Sequence, residues 1–226
     1  MLIIQHFAHD YFSHKLDENY IGLTFNIKGK YEGTMELFPS DQPNIIIQEG
    51  FICIKKLDLT VEGNNITSSF SKNLDIKFNE IKKISFDKGN DSEDFQINVP
   101  QGNYKNLTFG IELMDFPGMP AVMIHAAYFS QKRELLNLQI ELFDINPRFE
   151  QALDTRNQNP ANDNDNPSFI FEINASKWLE KLSFEDLENA ALTADTILIN
   201  PSNNVALYQK IAAQIMHGQN VKLEPK

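Results

Sequence analysis

The chain predicts a mainly β fold, an antiparallel β-sandwich with two short helices near its C-terminus. Three observations predict it. Apolar and polar residues alternate with a period of two along most of the sequence, the mark of half-buried strands. Clusters rich in Gly, Pro, Asn and Asp separate the alternating segments, as tight turns require. Helical spacing appears only late, mainly within residues 174–218.

Taken in order, Ile21, Leu23, Phe25 and Ile27 share one face of a first strand, and Gly29-Lys30 reads as a hairpin into Tyr31–Phe38. After the turn Pro39-Ser40-Asp41-Gln42-Pro43, an extended stretch begins at Ile45. Phe51, Cys53, Leu57, Leu59 and Val61 continue it on one parity. The turn Glu62-Gly63-Asn64-Asn65 returns the chain through Ile66–Phe70. Leu74, Ile76 and Phe78 alternate, and the parity shifts before Ile84 and Phe86, which predicts a bulge near Glu80–Lys83. Lys88-Gly89-Asn90-Asp91 is a polar loop. Phe95, Ile97 and Val99 form one strand, and Leu107, Phe109, Ile111 and Leu113 form the next.

Ala121–Phe129 is apolar on both parities and reads as a central strand. Leu136, Leu138, Ile140 and Leu142 alternate against polar neighbours. The segment Arg156–Pro167 (RNQNPANDNDNP) is the one clear break in composition. Phe169, Phe171 and Ile173 then form a last strand. Ser183-Phe184-Glu185-Asp186 matches a capping box with Asp in its last position. Asn204 is placed to cap a helix with the face Val205, Tyr208, Ile211, Ala212 and Ile215, and Gly218 to stop it.

These elements, about ten strands and then the helices, describe residues 1–226 as a single domain: an arm over 1–18, a sandwich over 19–150 and a polar loop over 151–167. The last strands and helices, 168–226, pack on the sandwich. The expected topology is Ig-like or transthyretin-like.

Composition limits the function. With 42% hydrophobic residues and 17 Phe, a substantial core can form. The formal net charge of −11 repels phosphate backbones, and no basic stripe offsets it, so nucleic acid is not an expected partner. The 24 Asn residues suit loop tips and helix caps. Cys53, the single cysteine, lies between isoleucines and reads as an inert buried thiol. Met1-Leu2-Ile3-Ile4 is too short for a signal-peptide core, and no apolar run reaches membrane-spanning length. Export would then depend on a signal upstream of Met1; the alternative compartment is the cytoplasm.

The segment Ile97-Asn98-Val99-Pro100-Gln101-Gly102-Asn103-Tyr104, followed by Leu107-Thr108-Phe109-Gly110-Ile111, resembles a recurring piece of exported bacterial envelope lipoproteins. In those β-sandwich domains a strand, a Val-Pro-x-Gly-x-Tyr turn and a second apolar strand follow one another. The resemblance implies an exported protein in the periplasm or outer envelope, with lipid-anchored association with a membrane. Some of those domains, including relatives of the methanobactin-associated copper protein, are linked to metals. This chain has one Trp and one mid-chain His where they carry an aromatic and His-rich middle, so the copper role is not carried over.

Several residues are candidates for chemistry. His6, His9 and Asp10 offer donors suited to Zn²⁺, Cu²⁺ or Ni²⁺. His14 falls off their helical face, no complete ligand set results, and no cofactor is expected. Asn162-Asp163-Asn164-Asp165-Asn166 resembles a calcium run, but Ser168 and Asn174 stand where an EF-hand needs Gly and Glu. His125 reads first as a hydrogen-bonded core histidine and second as a binding residue. Met114-Asp115-Phe116-Pro117-Gly118-Met119-Pro120 is the loop with an apolar payload. Met114, Phe116 and Met119 either cover the core or form a contact patch. Trp178 reads as the anchor of the C-terminal region. No nucleophile elbow, phosphate-binding Gly loop or HExxH occurs.

The leading expectation is a non-enzymatic binding or structural module of the bacterial envelope, with a protein, a small molecule or a second copy of the chain as partner. One rival is a periplasmic metal-handling protein using the N-terminal histidines. The other is a hydrolase with a site assembled from loops.

Overall fold

The alternating segments become strands almost throughout. In a computed structural model, residues 20–30, 43–64, 68–86, 92–100, 102–132, 134–153, 168–216 and 221–225 are described. A four-stranded sheet has, in spatial order, β12 (Val221–Pro225), β9 (Ser168–Asn174), β1 (Tyr20–Lys30) and β4 (Ser92–Pro100). A second, eight-stranded sheet runs through β10 (Leu192–Thr193), β11 (Thr196–Ile199), β7 (Leu135–Leu142), β6 (Val122–Phe129), β2 (Ile45–Asn64), β5 (Asn103–Leu113) and β8 (Arg148–Leu153). Its remaining strand, β3 (Ser69–Ser85), pairs with β2.

The inward residues of both sheets meet in one core. Phe109 of β5 meets Phe171 of β9 edge to face, with ring centroids 5.2 Å apart. Leu23 and Ile27 of β1 and Ile97 and Val99 of β4 are buried in the same core. Burying each such side chain is worth roughly 1.5–3 kcal/mol, the main force holding the sheets together.

Two strand pairs depart from the antiparallel expectation: β1 with β9, and β11 with β7, are parallel. Parallel neighbours need long connections, and both pairs join strands far apart in the chain. The C-terminal residues therefore do more than pack on a finished sandwich. They supply β9 and β12 to one sheet and β10 and β11 to the other.

Other expectations are corrected in detail. The partner proposed for β1 beyond Gly29-Lys30, Tyr31–Phe38, lies outside the described residues, and β4 and β9 flank β1 instead. The stretch from Ile45 to Asn64 is one strand of 20 residues. Its register shifts between Ile54 and Lys56 against both neighbours, so Ile52 and Ile54 are buried as well as Leu57, Leu59 and Val61. A single parity therefore does not run through it. On β3 the same irregularity falls at residues 78–81, next to the predicted bulge. β8 was not expected, and it extends to Leu153, inside the span assigned to the polar loop. β4 ends at Pro100 in one sheet and β5 begins at Asn103 in the other.

Trp178 lies in a 3-10 turn, Ala175–Trp178, directly after β9. It is fully buried, stacked on Phe149 with centroids 6.2 Å apart and edge-on to Phe86 at 5.7 Å. It thus ties the segment after β9 to the core. α1 (Phe184–Glu188) opens with the capping box: the Ser183 hydroxyl accepts from the Asp186 N–H, and the Asp186 carboxylate accepts from the Ser183 N–H.

α2 (Val205–Met216) buries Leu207, Ile211 and Ile215, and Tyr208 and Ala212 pack partly buried against the core; of the expected face, Val205 is exposed. The Asn204 side chain does not cap it. With φ at +50°, Asn204 turns its amide away to bond the backbone of Ala191 and Leu198. Gly218 lies outside the described residues.

Candidate functional site

The central strands of the large sheet carry a shallow groove on their solvent face. β6 lies between β7 and β2, and β2 in turn pairs with β3. The strand pairing sets Glu49 opposite His125, and Phe51 opposite both Met123 and Ser85. Residues two apart on a strand share a face, so these side chains, with Lys83, gather around a hollow of about 210 Å³.

His125 Nδ1 and Glu49 Oε1 are 2.9 Å apart. A carboxylate only accepts, so the imidazole donates from Nδ1 and its Nε2 is left for another partner. The Lys83 ammonium lies over the Phe51 ring, 4.1 Å from its centroid. No carboxylate pairs with Lys83 among the described residues. Ser85 lines the same groove, yet among the described residues no hydroxyl hydrogen-bonds to His125. The arrangement offers an oriented imidazole, a carboxylate, an ammonium and an aromatic face to anything that lies on the sheet.

His125 is therefore not a core histidine. It is half-buried on the outer face, because its neighbours Ile124 and Ala126 take the inward positions. Met114, Phe116 and Met119 are also half-buried. Phe116 and Met119 exchange both backbone hydrogen bonds, at 2.8 and 2.9 Å, closing a two-residue turn of Pro117 and Gly118. Gly118 has φ of +76°, the left-handed conformation that favours glycine. The Met114 N–H donates to the carbonyl of Cys53, fixing the start of the loop to β2. The loop is thus a braced turn and does not join the groove.

His6, His9, Asp10 and His14 lie outside the described residues, as does the run Asn162–Asn166. Among the described residues, no three His, Cys, Asp or Glu side chains converge to hold a metal ion. Cys53 is fully buried, and burial pushes its thiol up to about 11.

Sequence reasoning singled out His125 but missed Glu49, Phe51, Lys83, Ser85 and Met123. Glu49 interrupts an apolar run and Lys83 lies at a parity shift. Only the register of three strands brings them together.

No family model, no curated protein and no solved structure matches this chain.

Proposed function

We propose that this protein is a non-enzymatic binding module whose contact surface is the groove over β6, β2 and β3. The observation that carries this reading is the Glu49–His125 pair at 2.9 Å beside the Lys83–Phe51 contact in one hollow. Binding sites combine an apolar surface with a few placed polar groups, and this groove has both. The hydrolase reading has an orienting carboxylate for His125, but among the described residues no nucleophile is bonded to it. We read the two sheets as faces of a sandwich that holds the groove rigid. Export to the bacterial envelope belongs to the same proposal and rests on the resemblance around Val99–Tyr104. No helix among the described residues is long and apolar enough to cross a membrane.

The test is a fragment set screened by ligand-detected NMR against the protein and a Glu49→Ala/His125→Ala variant. Hits lost in the variant support the groove. A screen with no hits, or with hits equally strong in the variant, overturns it. Turnover of a nitrophenyl ester that disappears in His125→Ala would replace it with the hydrolase reading.

A further inference from the structure

We infer that the groove takes a small organic cation, an aliphatic ammonium or guanidinium, which replaces the Lys83 ammonium on the Phe51 ring face. This rests on the binding-module reading and adds the class of ligand.

The protein's own side chain shows what the ring accepts: the Lys83 ammonium lies 4.1 Å from the Phe51 centroid. The negative face of an aromatic ring attracts cations generally, guanidinium and ammonium alike. Lys83 is exposed and forms no ion pair among the described residues, so its flexible stem can leave the ring for water at little cost.

Charge in the groove favours a cation. Glu49 lines it, and Glu141 stands opposite Met123 on β7, facing the same side. Gln139 and Asn200 donate to Glu141 and leave its charge in place. Against Glu49 in the groove and Glu141 beside it stand Lys83 and an imidazole that is already donating to Glu49. An incoming anion would meet Glu49, with Glu141 on the same face of the neighbouring strand, and a chain of net charge −11 would slow its approach. A cation meets the ring and the second oxygen of Glu49, and the hollow of about 210 Å³ suits a small molecule.

The experiment is a titration with n-butylammonium, followed by NMR at the Phe51 ring protons, with n-butanol as the neutral control. The protein, Lys83→Met and Phe51→Leu are compared. The expected result is saturable shifts with the amine alone, and an affinity about three- to fivefold higher in Lys83→Met, where the competing cation is gone. Phe51→Leu, followed at the methyl of the groove residue Met123, should lose the response. Equal shifts with butanol, or an affinity unchanged or weakened in Lys83→Met, overturn the inference. Lys83 is exposed, so that variant keeps the test valid even if Phe51→Leu misfolds. If anionic or neutral fragments occupy the groove while the amine does not, the ligand class fails and the binding-module reading stands. If nothing occupies it, both fail.

Discussion

Arg148 of β8 reaches across β5 to grip Asp58 of β2 with both terminal nitrogens, one of them 2.6 Å from Asp58 Oδ1. Gly110 lies between them on β5, opposite Asp58 on one side and Glu150 on the other. A Cβ at Gly110 would sit 2.6 Å from Arg148 Nη2 and 2.7 Å from Asp58 Oδ1. The glycine is the gap through which an edge strand is pinned to the middle of the sheet. Lys56 and Asp75 extend the charges towards β3, and Glu150 extends them along β8.

The two partners are unequally buried, so their removal should have unequal costs. The Asp58 side chain is 10% exposed, whereas the Arg148 side chain is 39% exposed. Without Arg148, a buried carboxylate keeps, among the described residues, Lys56 at 3.7 Å. Without Asp58, Arg148 still has Glu150 and water. Arg148→Met is expected to cost about 2 kcal/mol, and Asp58→Leu less than half of that. Gly110→Ala should also destabilise, although added β-carbons usually help a strand, and its cost should shrink in an Arg148→Met background, where only the close approach to Asp58 Oδ1 remains. Urea unfolding of the single and double variants checks all three.

Acid should remove the same contact. Arg148 holds Asp58 below its ordinary value of 3.8, with burial opposing and Lys56 assisting. Because the folded-state pKa lies below the unfolded one, the pair contributes fully above about 3.8 and is lost as pH falls through the lower, folded value. The stability gap between the protein and Asp58→Leu should therefore be constant from neutral pH down to about 4 and narrow below that. A gap that shrinks between pH 7 and 5 would contradict the assignment. Denaturant midpoints across pH measure it.

Trp178 should tolerate one change unusually well. Its indole nitrogen is buried without a hydrogen-bond partner among the described residues. Trp178→Phe gives up volume between Phe149 and Phe86 but also removes that unsatisfied donor. The expected loss is below about 1.5 kcal/mol, against about 3–5 kcal/mol for Trp178→Ala. Thermal or urea unfolding of the two variants separates them.

Much of this architecture was legible in the sequence because burial on one face writes itself as alternation. The Ile97–Val99 and Phe169–Ile173 strands show it directly, and the Ser183–Asp186 box is a local motif satisfied within one helical turn. What was not legible depends on pairing between distant strands. β11 beside β7, β9 beside β1, and Glu49 beside His125 are each set by register. β8 was hidden because Arg148 and Glu150 fill its solvent face and only Phe149 and Leu153 turn inward.

The thiol of Cys53 offers a check on the rigidity of β2. With its pKa pushed up to about 11 by burial, little thiolate exists at pH 8, and the side chain is 0% exposed. Labelling by a disulfide reagent should be slow in the native protein and should follow global unfolding across a urea series. Fast labelling without denaturant would show that β2 opens locally.

Methionine methyl NMR distinguishes contacts at the groove from contacts at the braced turn. Met123 lines the groove, while Met114 and Met119 belong to the turn. In protein carrying ¹³C-methyl methionine, titration with n-butylammonium should move the Met123 signal in a saturable way and leave Met114 and Met119 unchanged. Shifts confined to Met114 and Met119, with Met123 still, would rule out the groove and return the contact surface to the loop.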